Sequence, residues 1–479
     1  MRILFIYSLQ DYRTPNKPLN KQGQIQFGIS YISSLLKAKG HITDLLVLTR
    51  KTKKRFIYKF INNFNPDLIG FTAIATEYYF IAKIAKLIKS LFPSIYLLIG
   101  GVHISLNPEK GIKDVFDAIC IGEGEYPTLE LVKQLENGKK PTKIGNLWIK
   151  NDQQIEKNVT RDFIRDLDNL PFHDRQMWQK WIRYPNTRHT ILLGRGCPFN
   201  CTYCSNHALK KLSSGKYVRF RSVKSIIDEL RNLIKTYQNV KDVYFEVETI
   251  GANLEYGITL CSELEKFNNK LPRKISFGIN LRIIPKRNFE PLFLAMKKAN
   301  FKFVNIGIES GSKRIRKEIL KRDYSNNDII KNIRIAKLYG LNISTYNLIG
   351  LPEETLEDIK KTIDINRKCM PNNLQLSIFF PYPGTDLYYT CKKKGLLKNQ
   401  TDIQIERSRV SLNLEYLSKK QVRKQYLWFN FNVYRGYRPL PLLLFKLIIT
   451  KLNYNLYINR LLRIITTYKF ITLWFKTGI

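Results

Sequence analysis

Over the first third of the chain, short apolar runs alternate with longer stretches whose apolar positions recur at helical spacing. Residues 2–7 form a run short enough for a buried strand. Ile25, Ile29, Ile32 and Leu36 then return every three or four residues, which predicts a helix that Gly40 can end in the left-handed conformation. Runs at 42–48, 67–72, 95–99 and 118–121 predict four more strands, and Ile81, Ile84, Ala85, Ile88 and Leu91 mark a helix between the second and third of these. The last two runs lead directly into Gly100-Gly101 and Gly122-Glu123-Gly124-Glu125. Five strands separated by helices predict an α/β, doubly wound (Rossmann-like) parallel sheet that receives ligands at the carboxyl ends of its strands.

Residues 141–185 break this rhythm. Segments 144–149 and 154–158 predict a small hairpin, and the stretch reads as a connector to a second domain. Alternation resumes at 190–193 and continues with strand candidates at 242–247, 275–279, 303–308, 343–349 and 374–379. Helical patterns such as 223–237 and 328–339 lie between them. Six such units predict a parallel, barrel-like arrangement open on one side, a partial (β/α)6 barrel. Beyond about residue 390 the pattern turns helical, basic and aromatic. The expected domains are therefore 1–140, a connector at 141–185, a core at 186–390 and a helical region at 391–479.

A chain of 479 residues with 44% hydrophobic content can bury such cores without disulfides. The formal net charge of +41 changes the picture more. Nucleic acid, an anionic membrane and a lysine-rich composition without a specific partner are the competing readings. The even spread of cations favours the last, except in the tail, where twelve Lys and Arg and no acid follow Glu415. The opening run is too short for a signal peptide, and no stretch reaches the ~18–20 apolar residues of a membrane span. Seven cysteines in such a chain argue for a reducing, cytoplasmic setting, where clustered thiols mean metal or catalysis.

That cluster is Gly194-Arg195-Gly196-Cys197-Pro198-Phe199-Asn200-Cys201-Thr202-Tyr203-Cys204, three thiols within eight residues on a loop after a strand. Thiolates are the soft ligands that iron–sulfur clusters require, and three rather than four leave one iron open for a substrate. Zinc, which wants a fourth ligand that His207 can supply, and purely structural thiols are the alternatives.

The Cys-x-x-x-Cys-x-aromatic-Cys loop resembles that of the radical SAM superfamily. The resemblance implies that Cys197, Cys201 and Cys204 hold a 4Fe-4S cluster whose fourth iron takes S-adenosylmethionine, with Tyr203 near the adenine. Further segments resemble the family in order along the chain. Gly307-Ile308-Glu309-Ser310-Gly311-Ser312 matches a strand-end motif that holds S-adenosylmethionine through Glu309 and Ser310. Gly350-Leu351-Pro352-Glu353-Glu354-Thr355 matches a turn beside the adenine, carried by Gly350 and Pro352. Pro381-Tyr382-Pro383-Gly384-Thr385 matches a turn that closes the last strand, and Arg282, after Asn280-Leu281, suits a carboxylate. Where the family often has paired acids, Phe245-Glu246-Val247-Glu248 stands here. Glu248 is expected at the methionyl amino group, with Glu246 in reserve.

The N-terminal domain resembles the cobalamin-binding domain that precedes the radical domain in one large subfamily, the class B methyltransferase-like group. Thr72, Gly100, Gly101, Gly122 and Glu123 are the implied cobalamin contacts, and a generic Rossmann-like domain is the alternative. The Asp-x-His-x-x-Gly loop of other cobalamin proteins is missing, and His103 reads as a local hydrogen-bonding residue. The two cofactors together imply methylation of an unactivated carbon on a substrate that the sequence does not name. Cobalamin-dependent cyclisation, oxidation or rearrangement is the nearest alternative; an RNA-modifying enzyme or a non-catalytic cobalamin or cluster sensor belongs to other classes. No catalytic side chain is singled out. The implied partners are a small-molecule or lipid substrate and an electron donor such as flavodoxin or ferredoxin, without nucleic acid. Stretches 439–449 and 461–475 of the tail predict a helical cap on the barrel or, alternatively, a peripheral contact with an anionic membrane.

Overall fold

The structure, a computed structural model, describes every residue except 11–16, 153, 185–187, 398–406 and 455–479. The chain divides into two compact units, Met1–Val240 with Tyr382–Tyr389, and Lys241–Pro381 with Thr390–Ile479. This division by compactness falls inside the segment 186–390 that the sequence groups as one core.

In the first unit, strands β1 (Arg2–Leu9), β2 (Ile42–Thr49), β3 (Leu68–Thr72), β4 (Tyr96–Gly100) and β5 (Ala118–Cys120) are parallel neighbours in the order β2-β1-β3-β4-β5. They are connected by helices α1 (Phe27–Ala38), α2 (Lys54–Phe64), α3 (Tyr78–Leu91), and the short α4 (Val102–Leu106) and α5 (Pro108–Ile112), with α6 (Glu125–Glu136) after β5. Ile3, Leu4, Phe5 and Ile6 are all buried, because a central strand covered on both faces must be apolar on both. The order reverses between β1 and β3, and ligands of such sheets bind at that switch point.

The connector departs from expectation. Its hairpin, β6 (Leu147–Asn151) and β7 (Gln154–Lys157), joins the same sheet antiparallel to β5, with Ala118 opposite Ile149, and makes it seven-stranded. A three-residue edge strand left bare would offer unpaired backbone groups to other chains, and the hairpin covers it. Met177, Trp178, Trp181 and Ile182 also enter the first core, and the Trp178 indole N–H donates to Ser30 Oγ at 2.8 Å. The connector thus completes the first unit. Strand β8 (Arg188–Leu192), the short antiparallel pair β9 (Gly194–Arg195) and β10 (Arg219–Phe220), and helices α7 (Ser205–Leu209) and α8 (Val223–Thr236) finish it.

The second unit carries the parallel strands β11 (Asp242–Glu246), β12 (Ser276–Leu281), β13 (Phe301–Glu309), β14 (Asn342–Ile349) and β15 (Asn373–Ile378), adjacent in chain order. Helices α9 (Leu254–Asn269), α10 (Glu290–Lys298), α11 (Asn326–Leu338) and α12 (Leu356–Cys369) lie between them. Ser325 with Asp328 and Thr355 with Asp358 form capping boxes that start α11 and α12. Alternation along the strands sends Ile343, Thr345, Asn347 and Ile349 into the core and leaves Tyr346 exposed. After α13 (Asp386–Lys393), helix α14 (Lys419–Tyr434) buries Val422, Phe429 and Val433 in a cluster with Ile359, Ile363 and Ile378. Arg367 Nη1 reaches the carbonyls of Asn432, Val433 and Arg435 at 2.8, 3.1 and 3.0 Å and closes its C-terminus. Helix α15 (Leu440–Tyr454) covers the predicted stretch 439–449 from Leu440 on, whereas 461–475 lies outside the described residues.

Candidate functional site

The cysteine loop begins where β9 ends. Gly196 has φ of 84°, and a Cβ there would run into the carbonyl of Tyr217, so the loop can leave the strand at this angle only with glycine. Cys201 is buried, while Cys197 and Cys204 are half-buried. The Cys204 N–H donates to the Cys201 carbonyl at 3.1 Å, and Cys204 Sγ accepts the N–H of Asn206 at 3.4 Å as it caps α7. A strap from far along the chain staples the loop: the Leu387 N–H donates to the Thr202 carbonyl at 2.9 Å. His207 Nδ1 lies 2.7 Å from the Cys204 carbonyl and Nε2 lies 2.8 Å from Asp386, so both ring nitrogens are committed away from a metal. That removes the fourth ligand a zinc site would need.

The other four cysteines lie apart from the loop. Cys120, Cys261, Cys369 and Cys391 are buried, and burial pushes their thiols up, to about 12 for Cys120, Cys369 and Cys391. Those four are inert core residues. Among the described residues no three His, Cys, Asp or Glu side chains converge as they would around a single ion. Three thiolates on one loop are the donor set a cubane takes, each on a different iron.

Two residues before Cys197, Arg195 carries a clamp that sequence reasoning missed. Its guanidinium reaches Glu123 at 2.9 Å and Glu125 at 2.5 Å, and Arg219 reaches the other oxygen of Glu123 at 3.0 Å. The Ile164 N–H also donates to Glu123, at 2.8 Å. Against the cost of burial, these two guanidiniums and that N–H hold the Glu123 carboxyl below the usual range. The expected cobalamin residue Glu123 therefore spends its side chain on binding β9 and β10 to the loop after β5. The signal available was an arginine beside the cysteines and a Gly-Glu-Gly-Glu run, with nothing in either to say that they meet.

The other cobalamin candidates lie together at the carboxyl ends of β3, β4 and β5. Thr72 pairs with Gly100 in register. Gly101 has φ of 98°, and a Cβ there would stand 2.8 Å from the Ala73 carbonyl and Thr72 Oγ1. The Gly122 N–H donates to Ser105 Oγ at 2.9 Å. Beside them Ile74 and Val102 are exposed, an open apolar rim of the kind a large macrocycle can lie on. His103 is buried against the ring of Tyr78, 4.7 Å away, and burial above all, with the charge of Lys110, lowers it to about 4. Under the same edge Ser8 and Arg50 hold the buried Glu77.

In the second unit the S-adenosylmethionine candidates line up at the ends of successive strands. Glu248 is exposed after β11. Behind it Glu246 is pushed to about 7, mainly by burial and further by the charge of Glu248. Arg282 is buried after β12, and its backbone N–H donates to Thr249 Oγ1 at 3.0 Å. The β13–β14 register shifts between Gly307 and Glu309, a bulge that leaves Glu309 at φ of 63°. Arg322 holds Glu309 Oε1 at 2.7 Å and the Gly307 carbonyl at 3.0 Å, while Arg316 reaches the Ser310 carbonyl at 2.6 Å. Ser310 is fully buried, with its hydroxyl 3.3 Å from Thr362 Oγ1, so its side chain shapes the turn. Gly350 (φ 74°) and Pro352 are buried at the end of β14. Tyr203 lies in the first unit with the cysteines. On the open face of the strands, Tyr244 OH donates to Asn280, and Asn305 Nδ2 donates to Tyr244 OH at 2.8 Å.

Two family models match the chain: the B12 binding domain over residues 23–132 and the radical SAM superfamily over 191–365. An uncharacterized methyltransferase of Pyrococcus horikoshii is 27% identical over 83% of this chain and 85% of its own length. The anaerobic magnesium-protoporphyrin IX monomethyl ester cyclase of Rubrivivax gelatinosus is 25% identical over 75% of this chain and 65% of its own. Among solved structures, the radical S-adenosylmethionine methyltransferase TsrM of Kitasatospora setae, with cobalamin and a 4Fe-4S cluster bound, superposes with a TM-score of 0.65. It is 17% identical and covers 84% of this chain and 79% of its own, a likeness of fold.

Proposed function

We propose that this chain, a member of the radical SAM superfamily with a B12-binding domain ahead of its radical domain, methylates an unactivated carbon of a small-molecule or lipid substrate. Its cofactors are a 4Fe-4S cluster, S-adenosylmethionine and cobalamin. What they supply when bound is reducing power to split S-adenosylmethionine and a carrier for the methyl group. The observation that carries the reading is the Arg195 clamp, which ties the loop of a B12-binding edge to the strand that launches the cluster cysteines.

The residues divide the work by position. Cys197, Cys201 and Cys204 grip the cluster and leave one iron for S-adenosylmethionine. Arg282 and Glu248 are suited to the carboxylate and amino group of its methionyl end, and Glu309, held by Arg322, to a hydroxyl or amino group. Gly350 and Pro352 bring backbone close to the adenine, and Tyr203 offers it a ring face. Thr72, Gly100, Gly101 and Gly122 leave room for the cobalamin nucleotide tail, with Glu123 fixing their loop. Glu246, pushed up to about 7, can hold or release a proton near neutral pH. An electron donor such as flavodoxin or ferredoxin and a cytoplasmic setting complete the proposal.

Anaerobic reconstitution tests it. Wild type is expected to bind iron, sulfide and cobalamin and, with a reductant, to release deoxyadenosine and S-adenosylhomocysteine. The Cys197→Ala/Cys201→Ala/Cys204→Ala variant should keep cobalamin, lose the cluster and lose deoxyadenosine altogether. Deoxyadenosine without S-adenosylhomocysteine would favour cyclisation, the activity in the name of the Rubrivivax relative. Zinc in place of iron would overturn the reading.

A further inference from the structure

The basic tail is the feature that the proposed chemistry leaves unused. Helix α14 is anchored by Val422, Phe429 and Val433, and α15 lies on it through the buried Leu443 and Leu447. The flank of α15 next to that contact is bare. Leu440, Leu444 and Ile448 are 56%, 42% and 53% exposed, and Phe445 is 42% exposed beside them. Tyr437, in the turn leading into the helix, is 58% exposed. Single exposed leucines are ordinary, but a stripe at i, i+4 and i+8 presents one continuous apolar face.

The charge carried by these two helices has one sign. Lys419, Lys420, Arg423 and Lys424 on α14, Arg435 between the helices, and Lys451 in the last turn of α15 are all exposed. Nothing beyond Glu415 neutralises them. A second copy of the chain would set cations against cations, and a nucleic acid would satisfy the cations but leave the leucines in water. An anionic lipid surface satisfies both, since an amphipathic helix sinks its apolar face to the headgroup boundary while its basic flanks meet the phosphates. Among the described residues no helix is long and apolar enough to cross a membrane, and α15 has fifteen residues. We infer that the outer face of α15 is a docking surface that lays this part of the chain flat on an anionic bilayer. The inference is independent of the proposed chemistry and needs no cofactor.

The experiment is sedimentation of the full chain with vesicles of phosphatidylcholine alone or with added phosphatidylglycerol. The expected result is at least about tenfold stronger partition to the anionic vesicles, weakened by salt. Leu444→Glu/Ile448→Glu should reduce that partition by about tenfold or more with an unchanged circular dichroism spectrum. Lys419→Glu/Lys424→Glu, which leaves the apolar stripe intact, should reduce only the preference for anionic lipid. Three results would overturn the inference: wild type that stays in solution; undiminished binding by the Leu444/Ile448 variant; or a wild-type dimer that this variant dissolves.

Discussion

Glu354 shows how one side chain can set a turn built of other residues. It is almost fully buried, and its Oε2 accepts the N–H groups of Gly350 at 2.5 Å and Leu351 at 3.2 Å. Burial pushes its carboxyl up to about 8, against the pull of those two N–H groups and with the help of the nearby charge of Asp358. The folded chain therefore holds a proton that the unfolded chain releases near the ordinary glutamate value. Stability is expected to fall as pH rises from about 4.5 to about 8, and to level beyond. Glu354→Gln keeps an acceptor for both N–H groups and carries no charge. It should flatten that slope and raise the melting temperature by about 5 °C at pH 8, read by thermal scans across pH. The sequence pointed to Gly350 and Pro352, whose type suits a turn. The residue that ties the turn was hidden, because nothing in a run of two glutamates says which one is buried.

Among elements, the Arg195 clamp makes a short strand matter more than its length suggests. Strand β9 has two residues, yet its arginine joins β10, the loop after β5 and the start of the cysteine loop. Arg195→Gln leaves Glu123 and Glu125 buried without their shared cation, which costs on the order of 3 kcal/mol. The expected outcome is weakened retention of both cluster and cobalamin after desalting, whereas the cysteine variant loses the cluster alone; iron, sulfide and corrin absorbance measure it. Most strands and helices were legible, because buried parallel strands are short apolar runs and surface helices keep an apolar period. The hairpin's place in the first sheet was not, since pairing between Ala118 and Ile149 depends on which edge is bare. The bulge at Gly307–Glu309 was equally invisible, because an extra residue in a strand leaves no mark on its composition.

Across the whole molecule, three buried histidines set an acid limit. Burial above all keeps His103, His173 and His189 neutral, and nearby lysine or arginine charges add to it. The carboxylate of Glu229, beside His173, is already claimed by Arg175 and Arg221. All three are lowered in the folded chain, His103 to about 4 and His189 to about 3, whereas the unfolded chain takes up protons near 6.5. Stability is thus expected to drop as pH falls from about 6.5 toward 4, seen as a falling urea midpoint. His189→Phe, which keeps the ring beside Tyr237, should lessen that drop. The strap at Tyr382–Tyr389 has a consequence in time. It joins a unit whose other residues end at Val240, and it reaches the cysteine loop through Leu387 and Asp386. A ribosome must therefore make some 140 further residues after the thiols' own unit has emerged before the loop gains its last fastening. Cluster insertion is therefore expected to follow the emergence of this strap, not of the cysteines alone.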